Sequence, residues 1–176
     1  RTARMTYRVD EELALLETAF GTKIANREMI FPVRDEAVAS VSRRLQALGI
    51  NAEDRLIGFH TNSRQTRELR QWDTEKFARL ADELITRHRA KILFTGSGPD
   101  ADYIETIIAK IGARDRVFRG LDFTLEELGG LFRRMELFVT INTGPMHIAI
   151  AQQTPTVALI GGTPARVIFP SNNPIF

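Results

Sequence analysis

Apolar positions along the chain recur at two periods, one fitting helices and one fitting strands, and from about residue 35 onward the two alternate. Val38, Val41, Leu45 and Leu48 fall on one helical face, and Gly49 follows as a left-handed terminator. A buried strand is then expected over 55–59. Asp73 can cap a second helix, whose buried stripe is Phe77, Leu80, Ala81, Leu84 and Ile85. A strand over 91–95 runs into a glycine loop, Gly96-Ser97-Gly98-Pro99-Asp100, and Tyr103, Ile104, Ile107, Ile108 and Ile111 mark the helix after it, closed by Gly112. A weaker strand is expected over 116–119. Thr124 and Glu127 have capping-box spacing, with Leu125, Leu128 and Leu131 as the buried stripe of the helix they start. Strands over 137–141 and 156–160 flank a short apolar helix that begins after Asn142-Thr143-Gly144-Pro145.

Strand and helix thus alternate five times, and the strands are nearly all apolar. That pattern predicts an α/β fold, a doubly wound parallel sheet of Rossmann-like type with helices on both faces. The first residues differ. Leu13, Leu16 and Phe20 suggest one helix, followed by the apolar stretch 29–32, so residues 1–34 are expected to form an approach segment packed on a domain over 35–176.

Composition narrows the class. The chain has 176 residues, 43% hydrophobic and 26% charged, enough to bury a core, which excludes a disordered tail. No apolar run reaches the ~18–20 residues of a membrane-crossing helix. The absence of cysteine removes disulfides, zinc-thiolate sites and a cysteine nucleophile, and is compatible with a cytoplasmic setting. The chain starts at Arg1 rather than Met, which fits a domain taken out of a longer protein. A net charge of only +2 argues against bulk nucleic-acid binding. Only four basic residues are Lys and the other twenty are Arg, so the placement of Arg matters more than the total.

In an open parallel sheet, ligands sit beyond the carboxyl ends of the strands, at helix N-termini. In 142–147, Gly144 admits close approach of a ligand, Pro145 suits the first helical turn, and Thr143 offers a cap hydroxyl; the same residues also suit a plain strand-to-helix turn. In 60–72, Thr61 and Ser63 bring hydroxyls, and Arg64, Arg67 and Arg70 recur every third residue. Guanidiniums there can clamp a diphosphate, or they form a solvated cluster beside a packing Trp72. Gly96 opens a loop in which Asp100 either accepts from ribose hydroxyls or caps the next helix. Gly161-Gly162 offers either close approach or a tight turn. His60, His88 and His147 are too scattered for a metal cluster, and no nucleophile elbow is present.

Taken together, the stretch from Thr140 to Thr163, TINTGPMHIAIAQQTPTVALIGGT, resembles the C-terminal domain of family-nine glycosyltransferases, the ADP-heptose:lipopolysaccharide heptosyltransferase family. Agreement is continuous from Thr143 to Ile148 and resumes at Thr154-Pro155-Thr156-Val157. Arg70-Gln71-Trp72 and Glu75-Lys76-Phe77 are similar to a second family segment, in the expected order. The resemblance implies one half of a GT-B enzyme, whose missing N-terminal domain would supply the acceptor site and the catalytic base. No catalytic residue is then expected in this chain. It implies that Thr61, Ser63, Arg70, Gly96, Asp100, Asn142, Thr143, Gly144, Pro145, Met146 and His147 contact a nucleotide-sugar donor, ADP-linked, with no tightly bound cofactor, no protein-held metal and the need for a divalent ion left open. The implied partners are a glycolipid or oligosaccharide acceptor and no nucleic acid, and the implied place is the cytoplasm, at the inner face of the inner membrane if peripheral. Three positions depart from the family pattern. Asn142 stands where Asp is usual, 60–63 replaces a Pro-Gly loop, and Gln152-Gln153 replaces Leu-Gly. A non-catalytic binding module and half of a sugar-nucleotide epimerase are the competing readings.

Overall fold

A computed structural model describes residues 7–61, 72–162 and 164–169. Five strands, β1 Leu56–His60, β2 Lys91–Gly96, β3 Val117–Leu121, β4 Leu137–Ile141 and β5 Thr156–Leu159, pair in parallel in the order β3-β2-β1-β4-β5. The helices are α1 Arg8–Phe20, α2 Asp35–Ala47, α3 Thr74–His88, α4 Ala101–Ile108, α5 Leu125–Arg134, α6 Gly144–Ala151 and α7 Ala165–Ile168. This is the doubly wound, Rossmann-like fold expected from the alternation.

Side chains alternate across each strand, so the sheet builds a core on each face. Ile57, Phe59, Ile92, Phe94, Val139 and Ile141 meet Phe77, Ala81 and Ile85 of α3 and Ile104 and Ile107 of α4. On the other face Leu56, Leu93 and Phe138 meet Val41 and Leu45 of α2, Leu131 and Phe132 of α5, and Ile148 and Ala149 of α6. Gly58 is glycine because a β-carbon there would lie 2.3 Å from Met135 Sδ.

Local signals hold at several helix ends. Asp73 Oδ1 accepts from the Glu75 amide at 2.7 Å, Thr124 and Glu127 complete their capping box, and Gly49 ends α2 at φ 77°. Two expectations are corrected. Gly112 does not close α4, which ends at Ile108; its amide instead donates to the Asp82 carboxylate at 3.0 Å, tying the following loop to α3. Leu125, expected in the buried stripe, is 64% exposed, because it occupies the first turn of α5, beyond the edge of the core.

The N-terminal segment meets the domain mainly through its second half. No residue of α1 is buried, and Leu16 and Phe20 lie exposed. Phe31 and Met29 pack on the core clusters, and Phe31 and Val33 fit against Gly129 of α5, where a β-carbon would come within 2.6 Å of Val33. Arg34 seals the junction by a paired contact with Glu126 at 2.6 and 2.8 Å. Gln152 adds a clip, its amide donating to the Phe31 carbonyl at 2.6 Å while its oxygen accepts from Arg133. Gln153 takes the left-handed φ of 57° that glycine would favour at a helix end.

Candidate functional site

The chain turns from β1 toward β2 and β3 on one side and later toward β4 and β5 on the other, so β1 and β4 flank the switch point where such folds bind ligands. His60 pairs with Thr140, and Phe59 with both Phe94 and Val139. Thr61, Gly96 and Ile141 are therefore level at the carboxyl edge of three neighbouring strands, and Asn142 leads directly into α6.

At the start of α6, Gly144 is exposed and, among the described residues, nothing lies within 4 Å of where its β-carbon would be. The space over the helix N-terminus is open. Pro145 occupies the first turn. Thr143, expected to cap the helix, does not: its hydroxyl turns back toward the Ile141 carbonyl at 3.4 Å. An uncapped, dipole-positive helix start is chemically suited to an anion. Met146 is fully buried against Ile150 and Ile168, so its side chain serves the core. The His147 imidazole is partly withdrawn from water, and this desolvation holds its pKa below the ordinary value, favouring the neutral ring.

Thr61 is 1% exposed, and its hydroxyl has no hydrogen-bond partner among the described residues. Gly96 lets Asp100 and Ile104 close in, since a β-carbon would stand 3.1 Å from each. The buried Asp100 carboxylate accepts from the Ser97 amide at 2.8 Å and the Ser97 hydroxyl at 2.6 Å, closing the short turn Gly98–Asp100; it does not cap α4 as expected, because its oxygens are turned back to Ser97. Ser63 and Arg70, with Arg64 and Arg67, lie outside the described residues. Trp72 meets Phe77 edge-on at 5.0 Å, the packing role considered for it.

Two residues at this edge escaped sequence reasoning. Asp122 follows β3 with a left-handed φ of 56° and accepts from the Gly98 amide at 2.8 Å, holding the Gly96–Asp100 loop in place. An Asp before a capping box is its only signal, since Asp tolerates that backbone. His60, at the end of β1, directs Nδ1 at Thr95 Oγ1, 3.1 Å away. Burial lowers its pKa, partly opposed by the charge of Asp100. Among the described residues no group of three or more His, Cys, Asp or Glu is placed to hold a metal, and no helix is long and apolar enough to cross a membrane.

A parallel β3-β2-β1-β4-β5 sheet with helices on both faces and a glycine-proline helix start at its switch point defines a Rossmann-like α/β domain of the kind found in glycosyltransferases. The chain belongs to glycosyltransferase family 9 (heptosyltransferase), whose model matches residues 1–175. It is 29% identical over 162 residues to lipopolysaccharide heptosyltransferase 3 of Escherichia coli K12, covering 90% of this chain and 45% of that protein. Similarity to lipopolysaccharide heptosyltransferase 1 of Campylobacter coli is 28% identity over 85% of this chain and 43% of that protein. A solved family 9 glycosyltransferase from Veillonella parvula superposes with TM-score 0.84 at 25% identity, over 96% of this chain and 48% of that one. The structure of E. coli heptosyltransferase WaaC with ADP shares the fold, at TM-score 0.67 and 15% identity over 94% of this chain and 48% of that chain. The chain spans about half the length of the relatives it matches.

Proposed function

We propose that this chain is the donor-binding half of a glycosyltransferase that moves heptose or a related sugar from an ADP-sugar to lipopolysaccharide core or a similar glycan. The observation that carries this reading is the uncapped start of α6 at the switch point, with open space over Gly144. Thr143, Gly144 and Pro145 with the first α6 amides would receive the diphosphate, and Arg70 would add a guanidinium to it. As the anomeric bond breaks, negative charge grows on the leaving diphosphate, and oriented donors and Arg stabilise that charge more than the ground state. This is the chemistry an inverting transfer needs from a donor domain. The base that deprotonates the acceptor belongs to the N-terminal domain outside this chain, so the chain alone binds donor and does not turn over. Family membership and the orphaned Thr61 hydroxyl support the same site.

Titrating the full-length protein with ADP, UDP and GDP by calorimetry tests the reading. ADP should bind tightest, and Arg70→Ala should weaken it roughly 10- to 100-fold, the range of a lost charge-assisted contact. Equal affinity for all three would remove the ADP assignment. Asn142 in place of the usual Asp favours a second reading, a nucleotide-binding module without transfer activity; detectable sugar transfer by the full-length protein would dismiss it.

A further inference from the structure

The switch-point crevice contains a polar side chain that holding a diphosphate does not require. His60 ends the central strand β1, level with Thr95 on β2 and Thr140 on β4, so it lies at the carboxyl edge of the sheet beside the switch point. Its ring is only partly buried, and Nδ1 lies 3.1 Å from Thr95 Oγ1. The buried Thr95 hydroxyl in turn reaches the Phe59 carbonyl oxygen at 3.2 Å.

Proton counting settles the direction of this relay. A hydroxyl has one hydrogen to give, and a carbonyl has none. Thr95 must therefore donate to Phe59, which leaves its oxygen as an acceptor toward the imidazole. Nδ1 carries the hydrogen, and in the neutral ring Nε2 is then a bare acceptor. Withdrawal from water disfavours the doubly protonated ring, so the neutral form is the one at hand near neutral pH. Nε2 has no hydrogen-bond partner among the described residues.

An acceptor in that position discriminates between parts of a nucleotide-sugar. Ionised phosphate oxygens offer no hydrogen and would set lone pair against lone pair. Hydroxyls offer one. We propose that His60 selects the ligand through Nε2, which accepts a hydrogen bond from a sugar hydroxyl of the bound nucleotide-sugar, either on the ribose or on the transferred sugar, while the diphosphate is held elsewhere, at α6. The inference rests on the donor-domain reading above.

Nitrogen-15 NMR of the histidines in the full-length protein tests it, with the His60 signals assigned by their loss in His60→Asn. In the free protein Nδ1 should carry hydrogen and Nε2 should not, and Thr95→Val, which removes the acceptor fixing the ring, should mix the two tautomers. On addition of ADP the Nε2 resonance moves if ribose supplies the hydroxyl; if it moves only with ADP-heptose, the transferred sugar does. His60→Phe, which keeps a ring and removes the acceptor, should weaken whichever ligand moves Nε2 by about tenfold. A hydrogen on Nε2 in the free protein, or an Nε2 unmoved while both ligands bind, overturns the inference and leaves the donor-domain reading standing. A protein that binds neither ligand at millimolar concentration overturns that reading, and the inference falls with it.

Discussion

Leaving a buried hydroxyl without a partner costs a protein roughly 1–3 kcal/mol, and Thr61, beyond the carboxyl end of β1, has a hydroxyl with no partner among the described residues. Replacing it by the near-isosteric valine removes the unsatisfied group without opening a cavity. Thr61→Val should therefore raise the stability of the folded chain by about 1 kcal/mol, read as a higher urea midpoint at unchanged slope. The same change should weaken nucleotide binding if the hydroxyl is kept for a ligand, a trade of stability for function. A fall in the midpoint would show that Thr61 is satisfied in solution. The glycine-proline start of α6 was legible in the sequence, since those residue types have few other uses in that order. The relay through His60 and Thr95 was not: it depends on which strands are neighbours and on their register, and neither residue type announces it. Asp100 shows the limit from the other side: a carboxylate after a glycine loop suits a cap on the next helix, but here it bonds back to Ser97 and closes the turn before that helix, a geometry the residue order does not reveal.

Among the elements, the N-terminal segment meets α5 through the packing of Phe31 and Val33 and through the Arg34–Glu126 ion pair. Arg34 holds the Glu126 carboxyl far below its ordinary value of 4.5, at about 2, through direct hydrogen bonds from its side chain and its amide. A depressed carboxylate pKa contributes stability that is complete above the ordinary value and is lost as pH falls through the depressed one. The wild-type protein should thus exceed Glu126→Gln in stability above about pH 4.5, and the gap should close toward pH 2, as followed by denaturant midpoints across that range. A gap independent of pH would assign the effect to packing. Most helices and strands were readable because their apolar period is sustained and their caps are chemical. Gly112 misled because the residue type also serves where a loop amide must meet a carboxylate, here Asp82. Leu125 misled because a period of 3.6 marks a face but not where the core beneath it ends.

At the scale of the molecule, the chain carries a Rossmann-like sheet and spans about half the length of its relatives, and the proposed donor site lies at the switch point of that sheet. The central claim is that a nucleoside diphosphate sits over the uncapped start of α6. Gly144 tests it most directly, because no described residue lies within 4 Å of where its β-carbon would be. Calorimetric titration of the full-length protein with ADP should give a measurable affinity that Gly144→Val lowers at least tenfold while the melting temperature stays unchanged, since the added side chain meets only the ligand. Binding unaltered by Gly144→Val, or no binding of ADP by the unmodified protein at millimolar concentration, would contradict the account.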